Sequence, residues 1–216
     1  MFDLLQEYWP MLLEGFLNTI LASIIALFFS TIIGTIMGIL QLSKNKFLSG
    51  LANVYVEFFR NIPLLIIVMF FYVVVPLYWF NLTGFQAGVI GLTIYTSSFI
   101  ADNIRAGIQS LPDGQREAAV SQGMTSSQAM RHVILPQAIR VVIPPLGNQF
   151  INLVKNSSVL AMVAGLDLMY YGDFIAMETF QTLDSYVLVG LFYLLITLPL
   201  TGAVRQLERR LSLDED

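Results

Sequence analysis

The chain runs without a single charged residue over 15–43, 61–101, 141–154, 156–166 and 185–204. These windows constrain the fold more than any other feature, because an ionised side chain at the centre of a bilayer costs about 2.5–3.5 kcal/mol on insertion scales. A helix needs about 20 mostly apolar residues to cross a membrane, so the chain is laid out for lipid. Composition agrees, since 56% hydrophobic residues against 12% charged leave too little polar surface to coat a soluble globule. The window 61–101 is too long for one span and holds Pro76, Tyr78, Trp79, Asn81 and Gly84, a cluster that reads as a hairpin at an interface. The predicted fold class is an all-α integral membrane protein, a single domain over 1–216, with five transmembrane helices at about 15–42, 62–80, 85–106, 133–160 and 185–205.

Lysine and arginine are retained on the cytoplasmic side of short loops. With the N-terminus outside and the C-terminus inside, five spans bring Lys44, Lys46, Arg60, Arg105, Arg116, Arg131, Arg140, Arg205, Arg209 and Arg210 to the cytoplasmic face, and of the 11 basic residues only Lys155 is left over. The outer side collects Asp3, Glu7, Glu14, Asp167, Asp173, Glu178 and Asp184. The start carries acids where a secretory signal would have a basic region. With no cysteine and one histidine, His132, the chain offers neither a disulfide framework nor a thiolate or multi-histidine metal site. It also lacks the G-x-x-x-x-G-K-[ST] loop that cradles ATP phosphates.

The longest hydrophilic segment, about 107–132, falls on the cytoplasmic side. Pro112-Asp113-Gly114 reads as a turn, followed by short helices over 115–124 and 125–131 that Asp113 or Thr125 can cap. Within it stand Glu117-Ala118-Ala119, Gly123, Val133 and Leu135-Pro136, in the spacing E-A-A, three residues, G, nine residues, I, one residue, L-P. This resembles the signature of ABC importer permeases, with valine in place of isoleucine at 133. Small residues on a short helix closed by glycine suit seating in a groove on a partner. The resemblance implies a permease like those of type I ABC importers, with short cytoplasmic coupling helices and Glu117, Ala118, Ala119 and Gly123 in contact with an ATP-binding subunit. It further implies an extracellular or periplasmic amino-acid-binding protein or domain, a second permease subunit, identical or not, and a place in the bacterial cytoplasmic membrane among lipid. No catalytic residue, cofactor or nucleic acid is expected.

Other segments resemble the polar amino acid branch, which serves histidine, glutamate, glutamine and arginine. They are Tyr55-Val56-Glu57, Arg60 and Pro63-Leu64-Leu65, then Ser98 to Asp102, Arg105 to Gln109 and Gly114-Gln115. The chain departs from that pattern at Asn61 and Ile62, where glycine and threonine are commoner, and at Asp102, where glutamate is.

Lys155 lies in a polar cluster, Asn152-Leu153-Val154-Lys155-Asn156-Ser157-Ser158, inside an apolar span. Pro144-Pro145 should break the helix that begins near Pro136. Ten residues beyond that break rise about 15 Å, half of a core about 30 Å thick, which sets Lys155 near mid-membrane. A cation there attracts a carboxylate, with Asn152, Asn156 and Ser157 supplying hydrogen bonds. The alternatives are that Lys155 snorkels or pairs with Asp167, and that the amides and hydroxyls join helices. Relatives for basic amino acids can carry an acid after this lysine. The neutral Asn156 leans instead to glutamate, aspartate or glutamine.

Gly34-x-x-x-Gly38 and Gly84-x-x-x-Gly88 read as close helix crossings, and Asp102 with Arg105 as a neutralising pair. Two rival functions differ in what they require. A secondary transporter or channel subunit for a small polar solute would show more spans, internal repeats or paired intramembrane carboxylates. A membrane enzyme would have only Ser157 or Ser158 beside Lys155 as its dyad.

Overall fold

The structure, a computed structural model, describes residues 1–212, and every element among them is helical. A short helix α1 (Phe2–Glu7) precedes α2 (Trp9–Gln41), whose proline sits harmlessly in its first turn. At 1.5 Å per residue α2 is about 50 Å long, more than a hydrocarbon core needs. It is built inside out by the standards of a soluble helix. Gly15, Thr19, Ala22, Ser23, Ala26, Ser30, Gly34 and Gly38 are buried, while Leu17, Ile24, Phe28, Ile36 and Ile39 are exposed. Small residues let a neighbouring backbone approach, and large ones meet lipid. The neighbour is α5 (Gly84–Gln109): a Cβ on Gly34 would stand 2.6 Å from Ile100, and one on Gly38 would stand 2.8 Å from the Ala101 carbonyl. Gly84 in turn abuts the Val163 carbonyl and Gly88 abuts Leu160, so both glycine pairs serve packing within the chain.

The second expected span begins differently from its expectation over 62–80. Asn45 caps α3 (Lys46–Asn61) by accepting from the amides of Phe47 and Leu48. α3 buries Ala52 and Val56 and exposes Phe47, Leu51, Val54 and Phe58. Ile62, extended as a residue before proline must be, ends it. The chain then turns by 104° into α4 (Leu64–Tyr78). Charge-free windows are blind to α3, which carries Lys46, Glu57 and Arg60.

α6 (Asp113–Ser121) follows α5, and α7 (Ser126–Val163) runs on through a 3₁₀ end at Ser157–Val163. Inside α4 and α7 are π turns, Phe70–Val74 and Met130–Ile134, each ending two residues before a proline, Pro76 and Pro136. Proline removes one helical donor and crowds the carbonyl four residues back, and a widened turn relieves both. Pro144-Pro145 does not break the helix as expected. The α-helical part of α7, Leu135–Asn156, passes through both. The amides missing at 144 and 145 would have met the carbonyls of Arg140 and Val141, two exposed residues.

A 51° bend separates α7 from α8 (Leu168–Thr179), which lies between α2 and α9 (Thr182–Ser212). The bend holds Ala164 and Leu166 at φ 53° and 55°. Asp167, 0% exposed, secures it by accepting from the amides of Met169 (3.1 Å) and Tyr170 (3.3 Å) and from the Tyr193 hydroxyl (3.4 Å). The Leu168 amide donates to Thr19 Oγ1 at 3.0 Å. Loss of such a cap costs about 0.5–2 kcal/mol. Asp167→Ala is therefore expected to lower the thermal midpoint of the purified protein by several degrees, read by melting in detergent, with Asp167→Asn intermediate.

Three helices, α2, α5 and α9, are long and apolar enough to cross a membrane alone, and the bent pairs α3–α4 and α7–α8 each supply another span if counted as one. The polypeptide has a basic end with Lys44, Lys46, Arg105 and Arg116, where α6 also lies, and an acidic end with Glu14, Asp173 and Asp184.

Candidate functional site

α6 projects at the basic end, with Pro112 before it and Asp113 in its first turn, where a negative charge suits the helix N-terminus. Asp113 makes no capping bond, and of the two expected caps only Thr125 acts as one. Its hydroxyl accepts from the Gln128 amide while Gln128 Oε1 accepts from the Thr125 amide, a capping box that starts α7. Glu117 and Ala118 are exposed, whereas Ala119 turns inward at 5% exposure. The helix closes at Gly123. The amide of Met124 donates to the Ala119 carbonyl (3.2 Å) and that of Gly123 to the Val120 carbonyl (2.9 Å), a Schellman closure with Gly123 at φ +90°. Nothing lies within 4 Å of where a Cβ on Gly123 would stand. Backbone conformation, not crowding, therefore requires glycine at this spacing.

The rest of the spacing is explained by one hollow of about 560 Å³, lined by Pro112, Gly114, Gln115, Ala118, Ala119, Gln122, Met124 and Val133. Ala118, Ala119 and Val133, the last fourteen residues beyond Ala119, all line it. The Leu-Pro step supplies the π turn that swings Val133 round. Glu117 faces a separate concavity with Asp113, Arg116, Val120 and Ser121. Gln137 Nε2 donates to Gln115 Oε1 (3.0 Å) and to the Val133 carbonyl (2.9 Å), tying α6 to α7. His132 bonds back to the Gln128 carbonyl and Arg131 is exposed.

The expected substrate group sits on α7. Leu153 packs with Ala22, Ala26, Val89 and Leu92. Lys155 is thus level with residues about 10–16 Å inside the window that opens at Gly15, in the half nearer the acidic end. Asn152 and Lys155 are exposed and Asn156 half-buried, and helical spacing sets the three on one face. Ser157 turns away. It is 0% exposed and its hydroxyl donates to the Val154 carbonyl at 2.7 Å. Ser158 likewise donates to the Lys155 carbonyl. Asp167 is engaged elsewhere, as described above. Exposed Asn148, four residues before Asn152, extends the polar face; the i, i+4 interval would have found it.

The sequence matches the family described as "Binding-protein-dependent transport system inner membrane component" over residues 30–213. The chain belongs to that family. Members of this binding-protein-dependent family are transport permeases, and this one is a membrane protein. Among its relatives is the probable glutamine ABC transporter permease protein GlnM of Bacillus subtilis, 54% identical, with 97% of each chain covered. The glutamate/aspartate import permease protein GltJ of Escherichia coli is 34% identical over 93% of this chain and 87% of that one. A solved structure, that of an amino acid ABC transporter with histidines, superposes with a TM-score of 0.91 at 33% identity, over 97% of this chain and 98% of the other. The expected permease resemblance and all-α fold are both met.

Proposed function

We propose that this chain is the membrane-spanning subunit of an ATP-driven importer for glutamine, glutamate or aspartate. The basic end is cytoplasmic and both ends of the α8–α9 hairpin's acidic turn face outside, so the N-terminus lies outside and the C-terminus inside. The observation that carries this reading is the polar face of exposed Asn148, Asn152 and Lys155 with half-buried Asn156, set within an apolar helix. Polar groups there need either water in a path or another protein surface. A second permease subunit supplies that surface, and the path runs between the two. An extracellular binding protein or domain delivers the amino acid, whose carboxylate meets Lys155. The chain carries no cofactor and performs no chemistry. ATP is hydrolysed on cytoplasmic subunits that grip α6 through Glu117, Ala118, Ala119 and the Gly123 turn. The names of the glutamine and glutamate/aspartate relatives support the substrate class.

Uptake of labelled glutamine, glutamate and aspartate into proteoliposomes, with and without the ATP-binding subunits, tests the reading. Uptake should require both ATP and those subunits. Uptake surviving without them would identify a secondary transporter or channel and overturn the proposal.

A further inference from the structure

Asp102 stands in the last third of α5 and serves two arginines. Arg60 Nη1 lies 2.9 Å from its Oδ2, and Arg105 Nη2 donates to its Oδ1 at 2.6 Å. The pair expected from the sequence is therefore a triad, and Arg60 comes from a different element. It closes α3, two residues before the elbow at Ile62-Pro63, and its guanidinium lies 5.4 Å from the centre of the Phe99 ring. On the other side Arg105 Nη1 donates to Gln109 Oε1 at 3.0 Å. Gln109 is the final residue of α5, and α6 begins at Asp113. One carboxylate thus links the 104° elbow to the segment that leads into the coupling helix.

Each arginine keeps about a third of its side-chain surface exposed (32% and 33%) and Asp102 only 19%. Simple neutralisation would need one cation for one anion, yet two are present. Among the described residues, Arg60 Nε and Arg105 Nε are buried without an acceptor, so the shared carboxylate is what holds each guanidinium in place. A carboxylate gripped from both sides passes a shift of one arginine to the other, which is what a transmitting element requires.

We propose that Asp102 is a positioning residue of the transport cycle. By clamping Arg60 and Arg105 together, it carries displacement of α6 through the last turn of α5 to the elbow between α3 and α4. The proposal rests on the importer reading. A residue that only balanced charge would affect assembly and all activities alike, whereas a transmitting residue changes the yield of transport for each ATP spent.

The test uses the complete complex in liposomes, measuring both ATP hydrolysis and imported amino acid. Asp102→Asn should keep hydrolysis within about twofold while import per ATP falls by about tenfold or more. Asp102→Glu, which retains the carboxylate, should recover most of the ratio. A wild-type ratio in Asp102→Asn overturns the proposal, as does a parallel fall of hydrolysis and import. A distance measurement keeps the question open to refutation should Asp102→Asn assemble poorly. The chain has no cysteine, so spin labels at Asn61→Cys and Ser121→Cys report the separation of elbow and α6 directly. That separation should shift on adding ATP, and the shift should vanish in Arg60→Gln. An equal shift in Arg60→Gln overturns the proposal. If the unaltered complex imports nothing on ATP, the importer reading itself fails, which the same assay shows separately.

Discussion

Glu117→Lys is expected to abolish ATP-driven uptake while leaving capture of the amino acid by the extracellular partner intact. Glu117 is exposed on α6 and makes no hydrogen bond or ion pair among the described residues. It faces a concavity of its own, apart from the hollow of Ala118, Ala119 and Val133. On the importer reading, a carboxylate so displayed is free to pair with a basic group of the ATP-binding subunit. Reversal sets like charges together across that interface, which costs several kcal/mol. About 3 kcal/mol weakens the docked state by about a hundredfold. The fold should not notice, because nothing buried depends on Glu117, so the thermal midpoint should match the unaltered protein. Co-purification of the ATP-binding subunits should drop with uptake. Unchanged uptake by Glu117→Lys would refute the docking role, and a shared fall in midpoint would assign the effect to folding.

Helix positions were legible because the bilayer reads charge, and charge is visible in a one-dimensional string. The expectations at 85–106 and 185–205 fall within α5 and α9 for that reason. The glycine pairs were legible too, since a residue without a side chain has few other uses in an apolar helix. What escaped was geometry set by tertiary contact. The elbow at Ile62-Pro63 needs α3 seated against α2 and α5, where Gln41 Nε2 donates to Asn53 Oδ1 and the Tyr55 hydroxyl lies 2.6 Å from Ser97 Oγ. Pro144-Pro145 looked like a break because local rules count lost hydrogen bonds and not the packing that holds a long helix straight. Ser157 was grouped with Lys155 by proximity in sequence, yet two further positions of rotation carry it to the packed side of α7. Arg60 joined Asp102 across 42 residues, and no local pattern announces such a partner. The motif from Glu117 to Pro136 was the opposite case: its spacing encodes a helix, a left-handed glycine stop and a proline-driven π turn, all local events.

Lys155→Ala should lower import of the amino acid by about 10- to 100-fold, the loss of one charge-assisted bond worth about 1.5–3 kcal/mol. The side chain makes no hydrogen bond or ion pair among the described residues, and its neighbour Leu153 packs with Ala22 and Ala26, about 10–16 Å inside the charge-free window that opens at Gly15. If the ammonium only snorkelled along lipid, removing it would relieve a cost, and import would hold or rise. If it pairs with a carboxylate that arrives with the substrate, the apparent KM rises, and Lys155→Arg, which keeps the charge with a different reach, falls between the two. Asn148→Ala and Asn152→Ala then act on the same parameter but by less, since a neutral hydrogen bond contributes about 1 kcal/mol. The decisive reading is KM and maximal rate for glutamine, glutamate and aspartate side by side, with assembly checked by the yield of intact complex. Normal KM for all three substrates in Lys155→Ala retires the intramembrane site, and selectivity then belongs to the extracellular partner alone.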